Sequence, residues 1–264
     1  MSNIPTKISL VDLSLQHQPI QNQIAQAMGE IIQRGDFILG QALSEFETAF
    51  AAACGVQYGV GVACGTDAIA LGLQACGIHP GDEIILPANT FIATIIGVIQ
   101  AKATPILVDC DPDTALIDLT AAETAITSKT KAIIPVHLYG QMVSPIKLLD
   151  LADRHNLIVF EDAAQAHLAS REEYRAGSFG KAAAFSFYPS KNLGSFGDGG
   201  MLITNDADVA QTMRTLRNYG APSKYLHTEI GSNSRLDNLQ AAVLNIKFPY
   251  LEKWNRDRTL ATQY

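Results

Sequence analysis

Two features of this chain could do chemistry together: a lysine in a loop of small residues and a pair of carboxylates. Lys191 follows an apolar stretch within the run YPSKNLG, and Glu161 and Asp162 follow an earlier apolar stretch. A lysine amine can form an imine with a carbonyl compound, and a buried carboxylate can pair with a protonated ring nitrogen. The structural alternatives are a solvated surface lysine and an acidic helix cap. Both interpretations stay open at this point.

A third feature, Gly65-Thr66, lies between an apolar stretch and a segment of helical period. Such a pair at a strand-to-helix turn presents N–H groups and a hydroxyl to an anion at the helix N-terminus. The alternative is a tight turn in which Thr66 is the N-cap. A lysine, a carboxylate and an anion site have one well-known joint use, which is to hold pyridoxal phosphate.

Other ligand motifs are excluded by their spacing. Gly59, Gly61 and Gly65 mimic a dinucleotide fingerprint, but the second predicted strand ends in LPAN, without the carboxylate that would hold a ribose. The chain has no GxxxxGK[ST] phosphate loop. The four cysteines contain no CxxC pair and the six histidines no HxxxH pair, so we expect neither a metal site nor a disulfide framework.

Composition and charge narrow the class of protein. Apolar residues make up 47% of the 264 residues and charged residues 17%, which predicts a sizeable core and excludes a disordered chain. The net charge is −7 and no Lys/Arg run occurs, so we expect no nucleic-acid partner. The apolar stretches are too short to span a membrane and the first residues lack a signal-peptide pattern, so we expect a cytoplasmic protein without a membrane partner.

The three features must be positioned by a sheet, because short apolar strands alternate with segments of helical period. The predicted strands are 57–63, 83–86, 105–108, 131–136, 157–160, 182–187 and 201–204. The predicted helices are 19–33, 66–76, 90–100, 119–126, 145–155 and 251–264. Such apolar strands indicate a mostly parallel sheet covered on both faces, with the last two strands antiparallel at one side. Ligands bind at the carboxyl ends of parallel strands, where all three features occur.

A series of motifs then becomes specific: FILG, CGTDAIALGL, GDEIILPANTFIAT, PVHLYGQ, EDAAQAH, SFGKAAAFSFYPSKNLGSFGDGG, LRNYG and GSNSRLDNLQAAVL. In this order they resemble the nucleotide-sugar aminotransferases of the DegT/DnrJ/StrS group over nearly the whole chain. The resemblance implies an α/β fold, the fold-type-I large domain of pyridoxal-phosphate enzymes, with a mostly parallel seven-stranded sheet between helices. It implies a cofactor-binding large domain with an N-terminal helical arm in residues 1–246. Residues 247–264 would begin a helix leading to a C-terminal small domain, which we expect to be missing.

The resemblance also implies which residues act. Lys191 matches the lysine that forms the internal aldimine with pyridoxal 5'-phosphate, and Asp162 matches the acid that keeps the ring nitrogen protonated. The remaining cofactor contacts implied are Gly65, Thr66 and Ser186 at the phosphate, Gln165 at the ring hydroxyl, Phe91 over the ring face, and Asn233. In the family this asparagine comes from the neighbouring subunit, so the resemblance implies a homodimer with a shared active site. For Phe91 the alternative is a core residue.

The reaction implied by the resemblance is transamination from an amino acid, L-glutamate, to a keto-sugar on a nucleotide, as in deoxysugar and polysaccharide biosynthesis. The stretch NYGAPSKYLHTEIGSNSRLD is most similar to members that act on dTDP-linked 3-keto-6-deoxyhexoses. One alternative is a sugar dehydratase on the same scaffold, in which histidine replaces the lysine; Lys191 argues against it. The other is a truncated, non-catalytic protein that binds pyridoxal phosphate. We expect the truncated chain to be weakly active.

Overall fold

The computed structural model describes residue 9 and residues 11–263 of the chain. Its α-helices are α1 (Ser14–His17), α2 (Gln21–Arg34), α3 (Gln41–Cys54), α4 (Gly65–Ala75), α5 (Ile92–Gln100), α6 (Leu119–Thr124), α7 (Pro145–His155), α8 (Ala207–Leu216), α9 (Asn238–Lys247) and α10 (Leu251–Ala261). Its strands are β1 (Tyr58–Val62), β2 (Glu83–Pro87), β3 (Thr104–Val108), β4 (Thr130–Ile133), β5 (Ile158–Asp162), β6 (Ser170–Arg171), β7 (Tyr174–Arg175), β8 (Ala182–Ser186) and β9 (Gly200–Thr204). Short 3-10 helices cover Gln18–Ile20, Leu138–Gly140 and Phe248–Tyr250.

Seven of these strands form one sheet in the order β1-β9-β8-β5-β4-β2-β3, and β6 and β7 form a separate hairpin. The strand pairs β8–β5, β5–β4, β4–β2 and β2–β3 are all parallel. β9 lies between β1 and β8 and is antiparallel to both. The predicted seven-stranded, mostly parallel sheet is confirmed, as is the antiparallel packing of the last two predicted strands. β1 therefore runs in the same direction as β8, so their carboxyl ends lie at the same edge of the sheet.

Strand β8 shows how the sequence covers both faces of the sheet. Ala182 and Ala184 pack into one core, beneath α4, α5 and α8. Ala183 and Phe185 pack into the opposite core, against α3 and α9. This alternation follows from the two-residue period of a strand, and it places small residues where helices lie on both faces. A third core joins β2, β3, β4 and β5 to α6 and α7.

Local capping chemistry fixes the ends of α7 where the sequence predicts them. The Ser144 hydroxyl accepts a hydrogen bond from the Lys147 N–H at 3.4 Å, and Pro145 occupies the first helical position. Asn156 ends the helix in the left-handed conformation, with φ of 53°. Ser, Pro and Asn each occupy the position that their chemistry favours, so prediction and structure agree at both ends.

The N-terminal segment forms an arm that packs on α9. α2 ends at Arg34, before Gly35 with φ of 73°, which is one residue beyond the predicted helix end at residue 33. Ile20 and Ile24 of the arm pack with Val243 of α9. The predicted C-terminal helix is present as α10, and residue 264 lies outside the described residues. None of the helices within residues 11–263 is long and apolar enough to cross a membrane.

Candidate active site

A cavity of about 600 Å³ opens at the carboxyl edge of the sheet. It lies among the starts of α4 and α5, the ends of β5 and β8, and the loop that follows β8. The predicted site residues that line it are Gly65, Thr66, Phe91, Asp162, Gln165, Ser186 and Lys191. The fold therefore gathers four widely separated segments of the chain around one space.

The anion recess predicted from Gly65-Thr66 is a close approach of α4 to the end of β8. A Cβ on Gly65 would lie 2.8 Å from the Cβ of Ser186, so only glycine fits at this position. Cys64 is the N-cap of α4, with its Sγ accepting from the Asp67 N–H at 3.5 Å. The alternative of Thr66 as the N-cap is therefore wrong, because Thr66 is already inside the helix. The helix start and the Ser186 hydroxyl together offer donors to an anion.

Asp162, the last residue of β5, is the buried acid of the cavity. Its Oδ2 accepts from the Thr94 hydroxyl at 2.7 Å, and its Oδ1 accepts from the Ala164 N–H at 3.1 Å. Burial raises the pKa of Asp162, whereas these two hydrogen bonds and the charge of Lys191 lower it. Residues 163–169 contain no helix, so the helix-cap alternative for the acidic pair is wrong. A buried carboxylate in this setting favours a ligand with a protonated nitrogen.

Lys191 is half-buried on the wall of the same cavity. Burial lowers the pKa of its amine, and the charge of Asp162 opposes this effect. A lowered pKa leaves more of the amine in its unprotonated, nucleophilic form. Lys181, which lies nearby in the sequence, instead pairs with Asp206 at 3.8 Å on the surface. The structure thus assigns the two lysines to different environments, and only Lys191 shares a cavity with the buried acid.

Phe91 and Gln165 lie at the mouth and on the wall of the cavity. The Phe91 side chain precedes α5 and is 69% exposed, so the alternative of a core role for it is wrong. Gln165 accepts a hydrogen bond at Oε1 from the Tyr139 N–H, at 2.8 Å. Because a backbone N–H can only donate, this bond orients the amide and leaves its NH2 group available to a ligand.

A comparison with protein families identifies the family of this chain. Residues 18–264 match the model of the DegT/DnrJ/EryC1/StrS aminotransferase family. The chain belongs to this family. The resemblance inferred from the motifs is thereby confirmed, with the fold-type-I architecture and the cofactor, pyridoxal 5'-phosphate, that it implies. This DegT/DnrJ/EryC1/StrS chain is a pyridoxal-phosphate-dependent sugar aminotransferase by family.

Relatives of the chain carry the names of enzymes that act on different nucleotide sugars. A relative from Aneurinibacillus thermoaerophilus, dTDP-3-amino-3,6-dideoxy-alpha-D-galactopyranose transaminase, is 48% identical over 97% of this chain and 71% of its own length. A relative from Acidithiobacillus ferrooxidans, UDP-N-acetyl-3-dehydro-alpha-D-glucosamine 3-aminotransferase, is 45% identical over 97% of this chain and 69% of its own length. The sugar nucleotide therefore differs between proteins that are about equally similar to this chain.

A solved structure shows the same fold. The crystal structure of DesV from S. venezuelae, described as a complex with a ketimine intermediate, superposes with a TM-score of 0.94 and 44% identity. The match covers 96% of this chain and 68% of DesV. The chain accordingly spans about two thirds of the length of that protein.

The cavity of this DegT/DnrJ/EryC1/StrS chain fits the cofactor of the family. The Gly65 recess, where the start of α4 and the Ser186 hydroxyl line the cavity, would take the phosphate. Asp162 would pair with the ring nitrogen, because it is a buried carboxylate that needs a cation. Lys191 would bind the aldehyde carbon, and Phe91 offers an apolar face at the cavity mouth. The donor set and the shape of the recess therefore agree with the group.

Asn233 is the predicted site residue that this chain does not bring to the cavity. It is exposed, precedes α9, and forms a β-bridge with Asn218. Its neighbour Ser234 donates to Asp67 Oδ2 at 2.6 Å and accepts from the Ala63 N–H at 3.1 Å, which ties this loop to the start of α4. The role of Asn233 toward the phosphate of a second subunit stays a prediction.

Glu161 was predicted only as one of a pair of carboxylates, and the structure shows that it closes a buried network. Glu161 accepts at 3.0 Å from the Nε2–H of His137, whose Nδ1 accepts from the backbone. It also accepts from the backbone N–H groups of Gly177, Phe179 and Gly180, at 2.7 to 3.1 Å. The signal that could have found it is the pairing of two polar motifs, HLYGQ and EDAAQ, after adjacent strands.

Replacing Glu161 by alanine is expected to lower the free energy of unfolding by about 3 kcal/mol or more, because it strands several buried donors. Urea unfolding of the two proteins measures this difference. Glu45→Ala, which removes an exposed carboxylate from α3, is the matched control and should change stability little. A Glu161→Ala protein as stable as the control would contradict the role of Glu161 as the acceptor of this network.

Two threonines, one just before α5 and one inside it, were also missed. Thr90 and Thr94 share a hydrogen bond between their hydroxyls at 2.7 Å, and Thr94 is buried against Asp162. Because the Thr94 hydroxyl donates to the carboxylate, it accepts the proton of Thr90. The sequence carries no spacing signal for this contact, because Thr94 and Asp162 are 68 residues apart.

Thr94→Val is expected to raise the pKa of Asp162, because it removes a hydrogen bond that stabilises the charged carboxylate. Asp162 would then become protonated at higher pH, so the loss of cofactor affinity on acidification should begin at higher pH. At neutral pH the Kd for pyridoxal phosphate should rise about tenfold, because one charge-assisted hydrogen bond to Asp162 is lost. Equilibrium titration with pyridoxal phosphate at a series of pH values tests this. If the affinity of the variant began to fall at the same pH as that of the wild type, the prediction would be contradicted.

Proposed function

We propose that this chain transfers an amino group from L-glutamate to a 3-keto-6-deoxyhexose linked to dTDP. The observation that carries the proposal is one cavity in which Lys191, the buried Asp162 and the Gly65 recess meet. The family and the names of the relatives support a nucleotide-linked sugar as the acceptor. The choice of dTDP and of the sugar rests on the sequence similarity of residues 218–237 to members that use such substrates.

Each side chain has a separate task in this proposal. Bound pyridoxal phosphate supplies an electron-withdrawing ring that stabilises negative charge on the amino-bearing carbon of the substrate. Asp162, held by Thr94 and Ala164, keeps a proton on the ring nitrogen and so preserves that electron demand. Lys191, whose amine is made less basic by burial, accepts and returns protons at Nζ. Phe91 shields one face from water.

A second cavity gives the sugar a place beside the cofactor. It has a volume of about 460 Å³ and shares Phe91 and Gln165 with the first cavity. Its wall also carries polar groups on Asn89, Thr114 and Gln141. Amide and hydroxyl groups of this kind suit a substrate rich in hydroxyls, so the shape and the lining both support a sugar acceptor.

The proposal is tested in two half-reactions. The chain is loaded with pyridoxal phosphate, L-glutamate is added, and conversion of the cofactor to its amino form is followed by absorbance. The amino form is then offered a panel of dTDP-linked 3-keto-6-deoxyhexose, dTDP-linked 4-keto-6-deoxyhexose and UDP-linked 3-keto-sugars. We expect glutamate to convert the cofactor, and the dTDP-linked 3-keto compound to return it fastest.

The outcomes separate the proposal from its alternatives. If the UDP-linked or the 4-keto compound converted the amino form of the cofactor back faster, the proposed substrate would be wrong. The proposed reaction, amino transfer, would still stand. Binding of the cofactor without conversion by glutamate would favour the non-catalytic protein. Loss of a sugar hydroxyl without net amino transfer would favour the dehydratase, an alternative that the presence of Lys191 argues against.

The wider assembly is also part of the proposal. We take residues 1–246 as the cofactor-binding domain and 247–264 as a segment that leads to a further domain. The structure places Lys247 as the last, buried residue of α9, so the helix of this segment is α10. A homodimer is supported by the exposed position of Asn233 outside its own cavity and by the exposed apolar residues Phe91 and Ile92 at the start of α5. Sedimentation of the wild-type chain tests it, and a monomer that binds the cofactor tightly would contradict the shared site. The cytoplasmic location stays a prediction.

A further inference from the structure

Lys247, the last residue of α9, is a lysine in the core that the proposed reaction does not use. Its side chain is fully buried, and within the described part of the chain it forms no ion pair with a carboxylate. Burial lowers the pKa of its amine to about 8, with a smaller contribution from the charge of Arg258. A buried ammonium without an anion beside it is costly. The burial of this lysine therefore needs a structural or functional explanation.

The contacts of Lys247 point to the loop that carries Lys191. Its Nζ donates to the carbonyl oxygen of Gly194. A second proton is directed to Nε2 of His17, at 3.2 Å, and the ammonium lies 5.9 Å from the centroid of the Phe196 ring. His17 and Phe196 themselves pack with ring centroids 4.6 Å apart. The lysine therefore joins three elements: α9, the N-terminal arm and the loop after β8.

Gly194 is the point at which this loop closes on itself. A Cβ on Gly194 would lie 2.7 Å from the carbonyl oxygen of Tyr188, so the chain approaches its own start too closely for any side chain. The Lys191 N–H donates to the same Tyr188 carbonyl at 2.9 Å. Ser195 completes the closure, since its N–H donates to the Phe187 carbonyl at 2.8 Å. The position of Lys191 is thus set by a small ring of backbone contacts with Gly194 at its base.

α9 holds this base at a second point. The Phe196 N–H donates to Oε1 of Gln240, on the same helix, at 2.8 Å. One helix thus binds a carbonyl and an amide of the loop, two residues apart, through two side chains. Of the two, Lys247 is the one whose burial costs more in stability, because its amine can carry a charge and the amide of Gln240 is neutral.

We propose that Lys247 is a positioning residue for Lys191: by binding the Gly194 carbonyl it fixes the closed loop, and by binding His17 it makes the N-terminal arm part of that support. The inference rests on the proposed function only in taking Lys191 as the cofactor lysine. Lys247 touches neither cofactor nor substrate in this assignment. Its effect is transmitted through the loop backbone.

The test replaces Lys247 by methionine, which keeps the long apolar stem and removes the donors and the charge. Hydrogen–deuterium exchange of residues 188–196 and the rate of Lys191 acylation by an amine-specific reagent are measured without cofactor. We expect loop exchange to rise about tenfold, as for the loss of one hydrogen bond, and the acylation rate of Lys191 to change. The melting temperature should not fall, because removal of an uncompensated buried charge offsets the lost bond.

Three further variants complete the design. Lys253→Met removes an exposed lysine of α10 and should leave both readouts unchanged. His17→Leu removes the acceptor on the arm together with its ring contact to Phe196, and should raise loop exchange less than Lys247→Met does; it also serves if Lys247→Met fails to fold. Lys247→Arg, which keeps the charge and donors, should restore part of the slow exchange.

The results that would overturn the inference differ from those that would overturn the proposed function. A lower melting temperature with unchanged loop exchange and unchanged Lys191 acylation would show that Lys247 is only structural. No change in any readout would show that it has no role in the loop. If the wild-type chain fails to bind pyridoxal phosphate while loop exchange still responds to Lys247→Met, the proposed function fails and the positioning role stands.

Discussion

Replacing Lys191 by alanine is expected to lower the rate of amino transfer by about 10⁴-fold or more, because one side chain supplies both the cofactor linkage and the proton carrier. The fold should be retained, since Lys191 lies in a loop at the cavity wall and not in a core. Stopped-flow absorbance after addition of L-glutamate measures the rate. The melting temperature should stay close to that of the wild type.

The matched control is Lys181→Ala, which removes a lysine from the surface ion pair with Asp206. Surface pairs of this kind contribute little to stability, and this one lies outside the cavity. Its amino-transfer rate should therefore match the wild type. Full activity of Lys191→Ala, or a comparable loss in Lys181→Ala, would contradict the assignment of the catalytic lysine.

Asp162→Asn is expected to lower the rate of amino transfer by about 10²-fold or more, as for other losses of an electrostatic partner of a reacting group. Asparagine keeps the shape of the side chain and can still accept from Thr94, but it cannot hold a proton on a ring nitrogen. The glutamate half-reaction and the Kd for pyridoxal phosphate are both measured, and both should worsen.

Asp153→Asn provides the control, since Asp153 is an exposed carboxylate on α7. It should react as the wild type does. If Asp162→Asn kept most of its activity, the carboxylate would have a structural role through Thr94 and Ala164 alone. The difference between the two variants therefore isolates the charge of Asp162.

The part of the fold that could be predicted is the part whose signals are local. α7 begins and ends where Ser144, Pro145 and Asn156 predict, because each acts through its own backbone. β5 was predicted to end at residue 160. It continues to Asp162, since Glu161 is satisfied by N–H groups of Gly177 and two later residues. No element was predicted for residues 41–54, where α3 forms, although Leu43, Phe46 and Phe50 recur with a helical period and are buried on one face.

The candidate site could be predicted as a set of residues, but not as a network. Asp162 and Lys191 followed from the motifs, and the structure brings both to one cavity. Thr94 and Lys247 act through partners 68 and 53 residues away, and no spacing rule connects such pairs. Only the three-dimensional arrangement shows that Thr94 orders the Asp162 carboxylate and that Lys247 holds the loop that carries Lys191.

The most direct test of the central claim, that this cavity binds pyridoxal phosphate through Lys191, is borohydride reduction of the loaded protein followed by peptide mapping. The chain is incubated with pyridoxal phosphate, reduced, digested and analysed by mass spectrometry. The account predicts one phosphopyridoxyl group on the peptide that contains Lys191, and none on Lys181. A stable adduct on Lys181 or on another lysine, with Lys191 unmodified, would contradict it.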